Sequence, residues 1–413
     1  MPPLASTASI RDLNRAAILR LIARHAPIAR AEIARRLGLS PATVTAVTRD
    51  LIERGLVEIV DRAPSRGGRP ALLLDIVGSA AHALGIKIAA DHIVGVRVNL
   101  DADVVDRFEH VFDATAPDAI ERLVALLRPH AESTDESLPP LLGIGLGVPG
   151  IVRYDPAATV TSPMLGWNEL AAGQVLQESF RVPVLVDNDV NTLAIAERLY
   201  GRGRDFENFI TVTIGRGVGL GIVLNGDVHR GRLGGAGEFG HVTVDETGPR
   251  CDCGKRGCLE VFVADPALCA QGRKLGLLRR GDGIEALLTL ADRGDPGARN
   301  LYARAAETLG RALAGIVNVL SPELVLVSGE GTQAWRHLST AFDRSLREAI
   351  FPPLRGVPVE VDPWDDAKWA RGAAALVLRG TFVSDLGDSD PDQAAWSRLT
   401  PPVALAGSRE VVA

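Results

Sequence analysis

A chain of 413 residues exceeds one ordinary domain, so two or three are expected, and its 46% apolar residues supply material for their cores. No uninterrupted apolar run approaches the roughly 18 to 20 residues a membrane helix needs, and the charged opening "MPPLASTASIRDLNRAAILRLIARH" does not read as a secretory signal. With four cysteines and no export signal, the cytoplasm is the expected compartment, where thiols stay reduced.

The net charge of −6 conceals an asymmetry. Up to Pro70 the chain carries twelve arginines, no lysine and six acidic residues, a local +6 that leaves −12 for the remainder. A basic head on an acidic body points to a nucleic-acid-binding module joined to something else; a solvated arginine-rich helical cap would carry the same charge.

The head predicts three helices. "LNRAAILRLIARH" sets Leu13, Ala17, Ile18, Leu21 and Ile22 on one stripe. "IARAEIARRLG" repeats the period through Ile33, Ala34 and Leu37 before Gly38 stops it. In "LSPATVTAVTRDLIERG", Ser40 caps the helix, Pro41 suits its first position and Gly55 ends it. Val44, Val47 and Leu51 then face inward, leaving Pro41, Ala42, Thr43, Thr45, Ala46 and Arg49 outside. Small residues at the front of the second helix of a helix-turn-helix let it enter a major groove, where hydroxyls and Arg49 reach bases or phosphates. "LVEIVDRAPSRGGRPALLLDI" reads as strand, basic turn and strand: a wing, with Arg66 and Arg69 directed at phosphate or minor groove. Ser40, Pro41, Thr43, Thr45, Arg49, Arg66 and Arg69 are the candidate DNA contacts.

From Ala80 onward strands recur before helices, which indicates α/β architecture with ligands beyond the strand ends. "GIKIAADHIVGVRVNL" is a hairpin, "AIERLVALLRPH" an amphipathic helix, and "LLGIGLGVPGIV" a buried strand entering a Gly-Pro-Gly turn. "VPVLVDNDVNTLAIAERLYG" is a strand ending in polar residues before a helix. "FITVTIGRGVGLGIVLNGDV" is two strands around a glycine turn, and "ELVLVSGEG" a further strand. This order matches two actin-like or hexokinase-like lobes around a cleft. "DND" at 187–189 either hydrogen-bonds adjacent hydroxyls of a sugar, with a carboxylate as general base, or caps a helix. "GGAGEFGH" brings Glu238 and His241 to tight turns.

His241, Cys251, Cys253 and Cys258 then form H-x9-C-x-C-x4-C, the donor set of a closed, structural Cys₃His zinc site. Gly254 and Gly257 allow the chain to fold around the ion. A redox pair more usually reads C-x-x-C, and a disulfide would leave one of the three thiols over. Cys269, in a helical stretch, reads as a small buried side chain.

"GGAGEFGHVTVDETGPRCDCGKRGCLE" closely resembles the zinc signature of the ROK family of repressors, open reading frames and sugar kinases. "SRGGRPALLLDI", "VPG", "GWNEL", "DNDVN" and "WARGAAALVL" follow in the family's order. The resemblance implies a winged helix-turn-helix at 1–78, a first α/β lobe at 79–190 completed by a helix near 366–380, and a second lobe with the zinc at 191–365. The tail, 383–413, has no counterpart and reads as disordered. By the same resemblance Gly150, Asn188, Asp189, Glu238, His241 and Glu260 bind a sugar, with Asp189 the catalytic base if the chain is a kinase. Family kinases also carry an Asp-x-Gly-x-Thr phosphate loop at the first hairpin. Here Gly85 stands at the aspartate's place in "LGIKIAADH", Lys87 follows, and Arg216 interrupts the second glycine turn. The expectation is therefore a sugar-responsive repressor acting on operator DNA as a homodimer or dimer of dimers. An ATP-dependent sugar kinase is the alternative.

Overall fold

A computed structural model describes residues 14–62, 71–132, 138–363 and 365–383, except 16, 20 and 24. Arg66, Arg69 and the tail beyond 383 lie outside the described residues. None of the described helices is long and apolar enough to cross a membrane.

In the head, helical residues between 14 and 25 (α1) bury Ile18, Leu19 and Ile22. β1 (Ile28–Ala29) leads into α2 (Arg30–Leu37), which ends at Gly38 with φ +63° and its N–H donating to Ala34. α3 (Pro41–Glu53) starts as the sequence predicts: Ser40 Oγ accepts the Thr43 N–H at 3.0 Å, and Pro41 sits where no N–H is needed. Val44, Val47 and Leu51 are buried, and so is Thr48, whose hydroxyl accepts from Arg30 Nε at 2.7 Å. Hydrophobic periodicity could not reveal that polar lock between α2 and α3. β2 (Val57–Arg62) and β3 (Leu72–Ile76) pair antiparallel, and with β1 they form the wing sheet in the order β1-β3-β2.

The body repeats one arrangement twice. β4 (His82–Ile88), β5 (His92–Asn99) and β6 (Val104–Val111) form an antiparallel meander. α4 (Ala119–Ala131) leads to β7 (Leu141–Val148), parallel to β4. A small sheet of β8 (Ile151–Val152), β9 (Val160–Ser162) and β10 (Trp167–Leu170) follows, and α5 (Ala172–Phe180) returns to β11 (Val184–Asn188), parallel to β7. The sheet order is β11-β7-β4-β5-β6.

α6 (Asp189–Tyr200) crosses to the second meander of β12 (Phe209–Ile214), β13 (Val218–Leu224) and β14 (Asp227–Val228). Next come α7 (Glu260–Val263), α8 (Asp265–Lys274), α9 (Ile284–Asp292) and α10 (Pro296–Leu320). β15 (Leu324–Ser328), α11 (Trp335–Ala349) and β16 (Val359–Val361) complete the order β14-β13-β12-β15-β16. Each sheet is thus a three-stranded meander extended by two parallel strands beside its first strand. This duplication is the actin-like, two-lobed body expected from the strand–helix order.

α12 (Asp366–Val383) then returns to the first sheet and lies on it through glycines. A Cβ at Gly85 would meet the Ala370 carbonyl oxygen at 2.0 Å, and one at Gly145 would meet that of Ala373 at 1.8 Å. The head is not a loosely tethered module. Ile18, Val44 and Leu51 share one buried core with Val94 and Val96 of β5 and with Ala374 and Leu378 of α12.

Gly145→Ala is expected to destabilise the protein by about 2 kcal/mol or more, because the obstructing atom is backbone and cannot rotate away. Gly315→Ala, in α10 with nothing within 4 Å of the new Cβ, is expected to stabilise by ~0.5–1 kcal/mol. Denaturant unfolding of the two variants checks both signs.

Candidate functional site

The end of β11 and the start of α6 bring Gly150, Asn188 and Asp189 together. Asn188 caps α6: its Oδ1 accepts the Val190 and Asn191 N–H groups at 2.8 and 3.2 Å, and its Nδ2 donates to the Gly150 carbonyl at 3.0 Å. Gly150 has φ +109°, and a Cβ there would lie 2.5 Å from the Thr161 carbonyl oxygen, so the turn requires glycine. Capping and ligand binding are not exclusive here, since a cap fixes the amide's rotamer. Asp189 follows with Oδ1 on its neighbour's N–H at 2.9 Å. Burial pushes its carboxyl up to about 6, opposed by the charge of Lys87 and reinforced by that of Glu330.

Asp187 has a different job. It is 2% exposed and receives Arg230 through Nη2 at 2.7 Å and Nε at 2.8 Å, with Asn191 Nδ2 at 3.0 Å on its other oxygen. This buried pair ties β11 to the loop after β14. The sequence offered no signal for Arg230, because the loop between it and β11 has no fixed spacing.

The second cluster sits on the short helix Phe239–His241 and on α7. Glu260 Oε2 accepts the Val218 N–H at 3.1 Å, and the next residue of β13, Gly219, packs on Val190 beside Asp189. Adjacent residues of one strand therefore carry Glu260 on one side and the start of α6 on the other. Burial raises the Glu238 carboxyl, partly countered by His241 and added to by Glu260. His241 faces two ways: Nε2 lies 3.8 Å from Glu238, and Nδ1 lies 3.6 Å from Cys251 Sγ.

The ligand atoms of His241, Cys251, Cys253 and Cys258 all lie within 4.8 Å of one another, and Cys253 Sγ is 3.6 Å from Cys258 Sγ. Four donors about 2.0–2.3 Å from a tetrahedral zinc stand ~3.5–3.8 Å apart, so the set fits such an ion. Two glycines shape the loop: Gly254 at φ +91°, and Gly257 at φ +65°, where a Cβ would lie 1.5 Å from the Asp245 carbonyl oxygen. Burial pushes the Cys258 thiol up to about 12, while the Lys255 N–H lowers that of Cys253. Cys269 is buried in the core of the second lobe, as its sequence context predicts.

The first hairpin joins β4 to β5. Gly85 lies mid-strand under α12, against the backbone of Ala370 and Ala374 and the Ala374 methyl. Near the strand end stands Lys87. Its Nζ pairs with Asp366 at 2.6 Å and lies 4.7 Å from the Trp369 ring centroid. Across the cleft, Arg216 pairs with Asp91 at 2.6 Å. Both cations beside the two glycine-bearing turns are thus engaged by carboxylates. On the head, Pro41, Thr45 and Arg49 are exposed and Thr43 is half-buried. Thr45 Oγ1 donates to the Pro41 carbonyl at 2.8 Å.

Residues 83–380 match the model of the ROK family, and residues 11–58 match a winged helix-turn-helix DNA-binding model. The chain belongs to the ROK family. An N-acetylglucosamine repressor of Escherichia coli is 32% identical over 90% of this chain and 93% of its own length. A xylose repressor of Bacillus subtilis is 29% identical over 78% and 84%. Among solved structures, a ROK family transcriptional regulator described as a homologue of the E. coli MLC protein superposes with TM-score 0.79 at 27% identity, over 94% of this chain and 99% of that one. A ROK glucokinase from Streptomyces griseus, solved with glucose and AMPPNP, gives 0.63 at 26%, over 71% and 98%. The ROK regulator covers the head as well as the body; the ROK kinase covers a share consistent with the body alone.

Asp189 has its carboxyl raised from 3.8 to about 6, so its contribution to stability is full below pH 3.8 and lost as pH rises through 6. Asp189→Asn removes the partly desolvated charge. The variant is expected to melt above the wild type at pH above 6, with the gap closing as pH falls from 6 to 3.8; melting curves across that range check it.

Proposed function

We infer that this ROK protein is a sugar-responsive, DNA-binding transcriptional repressor. The observation that carries the reading is a DNA-binding head fused by a common buried core to a two-lobed body, an arrangement it shares over nearly its whole length with regulators. Residues 1–78 are assigned to operator binding, 79–190 with the helix near 366–380 to the first lobe, and 191–365 to the second. α3 enters the major groove, where Pro41 and Ser40 set the approach of the helix end. Thr43, Thr45 and Arg49 meet bases or phosphates, and Arg66 and Arg69, outside the described residues, are assigned to phosphate or minor groove. The cytoplasm is the compartment in which such a protein meets its operator, and a homodimer or dimer of dimers is its form on DNA.

The effector is a monosaccharide in the cleft. Asn188 and Asp189 bind adjacent hydroxyls, Glu238 and Glu260 accept from others, Gly150 lets the ring approach, and His241 contributes Nε2. The cysteine cluster holds a structural zinc through His241, Cys251, Cys253 and Cys258. With all four positions filled by protein, the ion contributes folding energy and pins the loop between Glu238 and Glu260. The chain is not assigned as an enzyme. Lys87 at the first hairpin is paired with Asp366, and Glu330 Oε2 lies 2.0 Å from the Cβ position of Gly215 in the second glycine turn. That carboxylate repels a phosphate chain. One observation favours the kinase alternative: Asp189, half-buried with its carboxyl raised to about 6, suits a general base. Coupled-assay turnover of a hexose with ATP and magnesium would establish it.

Arg49→Ala is expected to weaken operator binding by about ten- to a hundredfold in fluorescence anisotropy. Asp189→Ala is expected to leave operator affinity nearly unchanged and abolish its dependence on sugar. A retained response removes the site assignment, and operator affinity indifferent to every monosaccharide tested removes the effector role. Cys253→Ser is expected to lose zinc by elemental analysis and lower the melting temperature, while adding chelator to the variant shifts it no further.

A further inference from the structure

We propose that the second lobe holds a binding site for a small organic cation, an ammonium or amidinium group carried on an apolar body. The site is a cavity of about 560 Å³ between the glycine turn that joins β12 to β13 and helices α8 to α11. A cavity of this size takes a molecule much larger than water and falls within the range of small-molecule sites. None of Gly150, Asn188, Asp189, Glu238, His241 and Glu260 lines it, so its ligand is separate from the sugar of the proposed function.

The lining divides into two parts. Ile214, Leu268, Ile284, Leu288, Leu309 and Leu338 make an apolar wall. Asp265, Glu285 and Glu330 make the acidic part, and among the described residues none of the three has an ion-pair partner. They crowd one another: burial, then Glu330 and Glu285, push the Asp265 carboxyl up to about 6 against the pull of Arg216. Two arginines also reach the cavity, and both are engaged elsewhere. Arg216 pairs with Asp91 at 2.6 Å, and Arg273 Nη2 donates to the Asp282 carbonyl at 2.9 Å. The unmatched charge facing the cavity is therefore negative.

Carboxylates alone would be a solvated face; a buried tyrosine marks these as a site. Tyr302 of α10 lines the same cavity and is 1% exposed, yet its hydroxyl has no hydrogen-bond partner among the described residues. Burial raises that hydroxyl, and the charges of Asp265 and Cys269, both also in the lining, raise it further. A buried hydroxyl left unpaired destabilises the fold, and a polar group of a bound molecule removes that cost. An ammonium brings three N–H donors together with the charge the carboxylates lack. Asp265 and Glu330 accept two of these donors and Tyr302 Oη the third, while the apolar body lies on the isoleucine and leucine wall. The Glu330 carboxylate that repels a phosphate chain thus attracts this ligand.

The test uses neither DNA nor a monosaccharide, so its failure leaves the proposed function standing. Isothermal titration calorimetry of the full chain compares tryptamine, phenethylamine and benzamidine with their neutral isosteres tryptophol, phenethyl alcohol and benzamide. At least one cation is expected to bind about tenfold or more tightly than its isostere. Asp265→Asn is expected to weaken that cation about tenfold or more, and Tyr302→Phe about three- to tenfold. Without ligand, Tyr302→Phe is expected to melt at or above the wild type, because the unpaired hydroxyl is gone. A tyrosine of structural value alone would melt lower on substitution and leave the cation's affinity unchanged, which overturns the proposal. So do cations that bind no better than their isosteres, or adenosine binding more tightly than every cation. Should Asp265→Asn fail to fold, amide hydrogen exchange of the wild type with and without the cation decides. Added protection in α8, α9 and the Tyr302 turn of α10 supports the site, and protection found only around Asp189 or Glu260 overturns it.

Discussion

The close approach of α12 to the first sheet is the constraint on which the rest of the molecule depends. A helix can rest on β4 and β7 at this distance only where the strands carry no side chain, and Gly85 and Gly145 stand at those places. The contact also works in the other direction, because Gly372 of α12 lies against the Thr192 carbonyl oxygen, 2.5 Å from where a Cβ would be, bringing the helix onto α6. One helix therefore touches the sheet, the element that opens with Asp189, and the core that includes the head. Its N-terminal Asp366 holds Lys87 in the cleft. These contacts leave little freedom for any of the parts to shift alone.

That coupling gives a physical route from cleft to head. Pairs cross between the lobes at Asp187–Arg230, Asp91–Arg216 and Asp227–Arg379. The first is buried, so separating it would leave an uncompensated charge; the second is exposed and worth little. Movement of the lobes therefore pivots about the Asp187 end of β11 more readily than it breaks there. A ligand shifts such an equilibrium only by its difference in affinity for the two arrangements, a condition the proposed site meets by drawing Asn188 and Asp189 from one proposed lobe and Glu238 and Glu260 from the other. Because α3 shares its core with β5 and α12, a tilt of the first lobe carries the recognition helix with it.

Much of this was legible in the sequence where a residue type has few alternatives. Ser40-Pro41 could hardly be anything but a helix start, and both act as such. The four metal donors come together because glycine at 254 and 257 permits a loop no other residue tolerates. The strand order of the lobes followed from alternating apolar runs. What stayed hidden was long-range pairing between polar side chains. Thr48 with Arg30, Asp187 with Arg230 and Lys87 with Asp366 join residues 18, 43 and 279 positions apart, and no periodicity encodes such partners. The close packing at Gly85 was hidden for a related reason: its missing side chain admits a helix nearly 300 residues later.

The same residues explain why a shared body need not share a reaction. Phosphoryl transfer is mostly positioning and charge stabilisation, so it depends on groups that hold the metal and the phosphates rather than on those that hold the sugar. In this cleft the groups proposed to meet a sugar stand at the end of β11, the start of α6 and on α7, held by backbone contacts outside the first hairpin. The phosphate side is electrostatically inverted: a buried lysine is neutralised by Asp366, Arg216 is neutralised by Asp91, and Glu330 crowds the glycine turn. A triphosphate would have to break both pairs and accept a carboxylate at its end. On the proposed reading a neutral sugar meets none of these costs, which would separate binding from catalysis within one pocket.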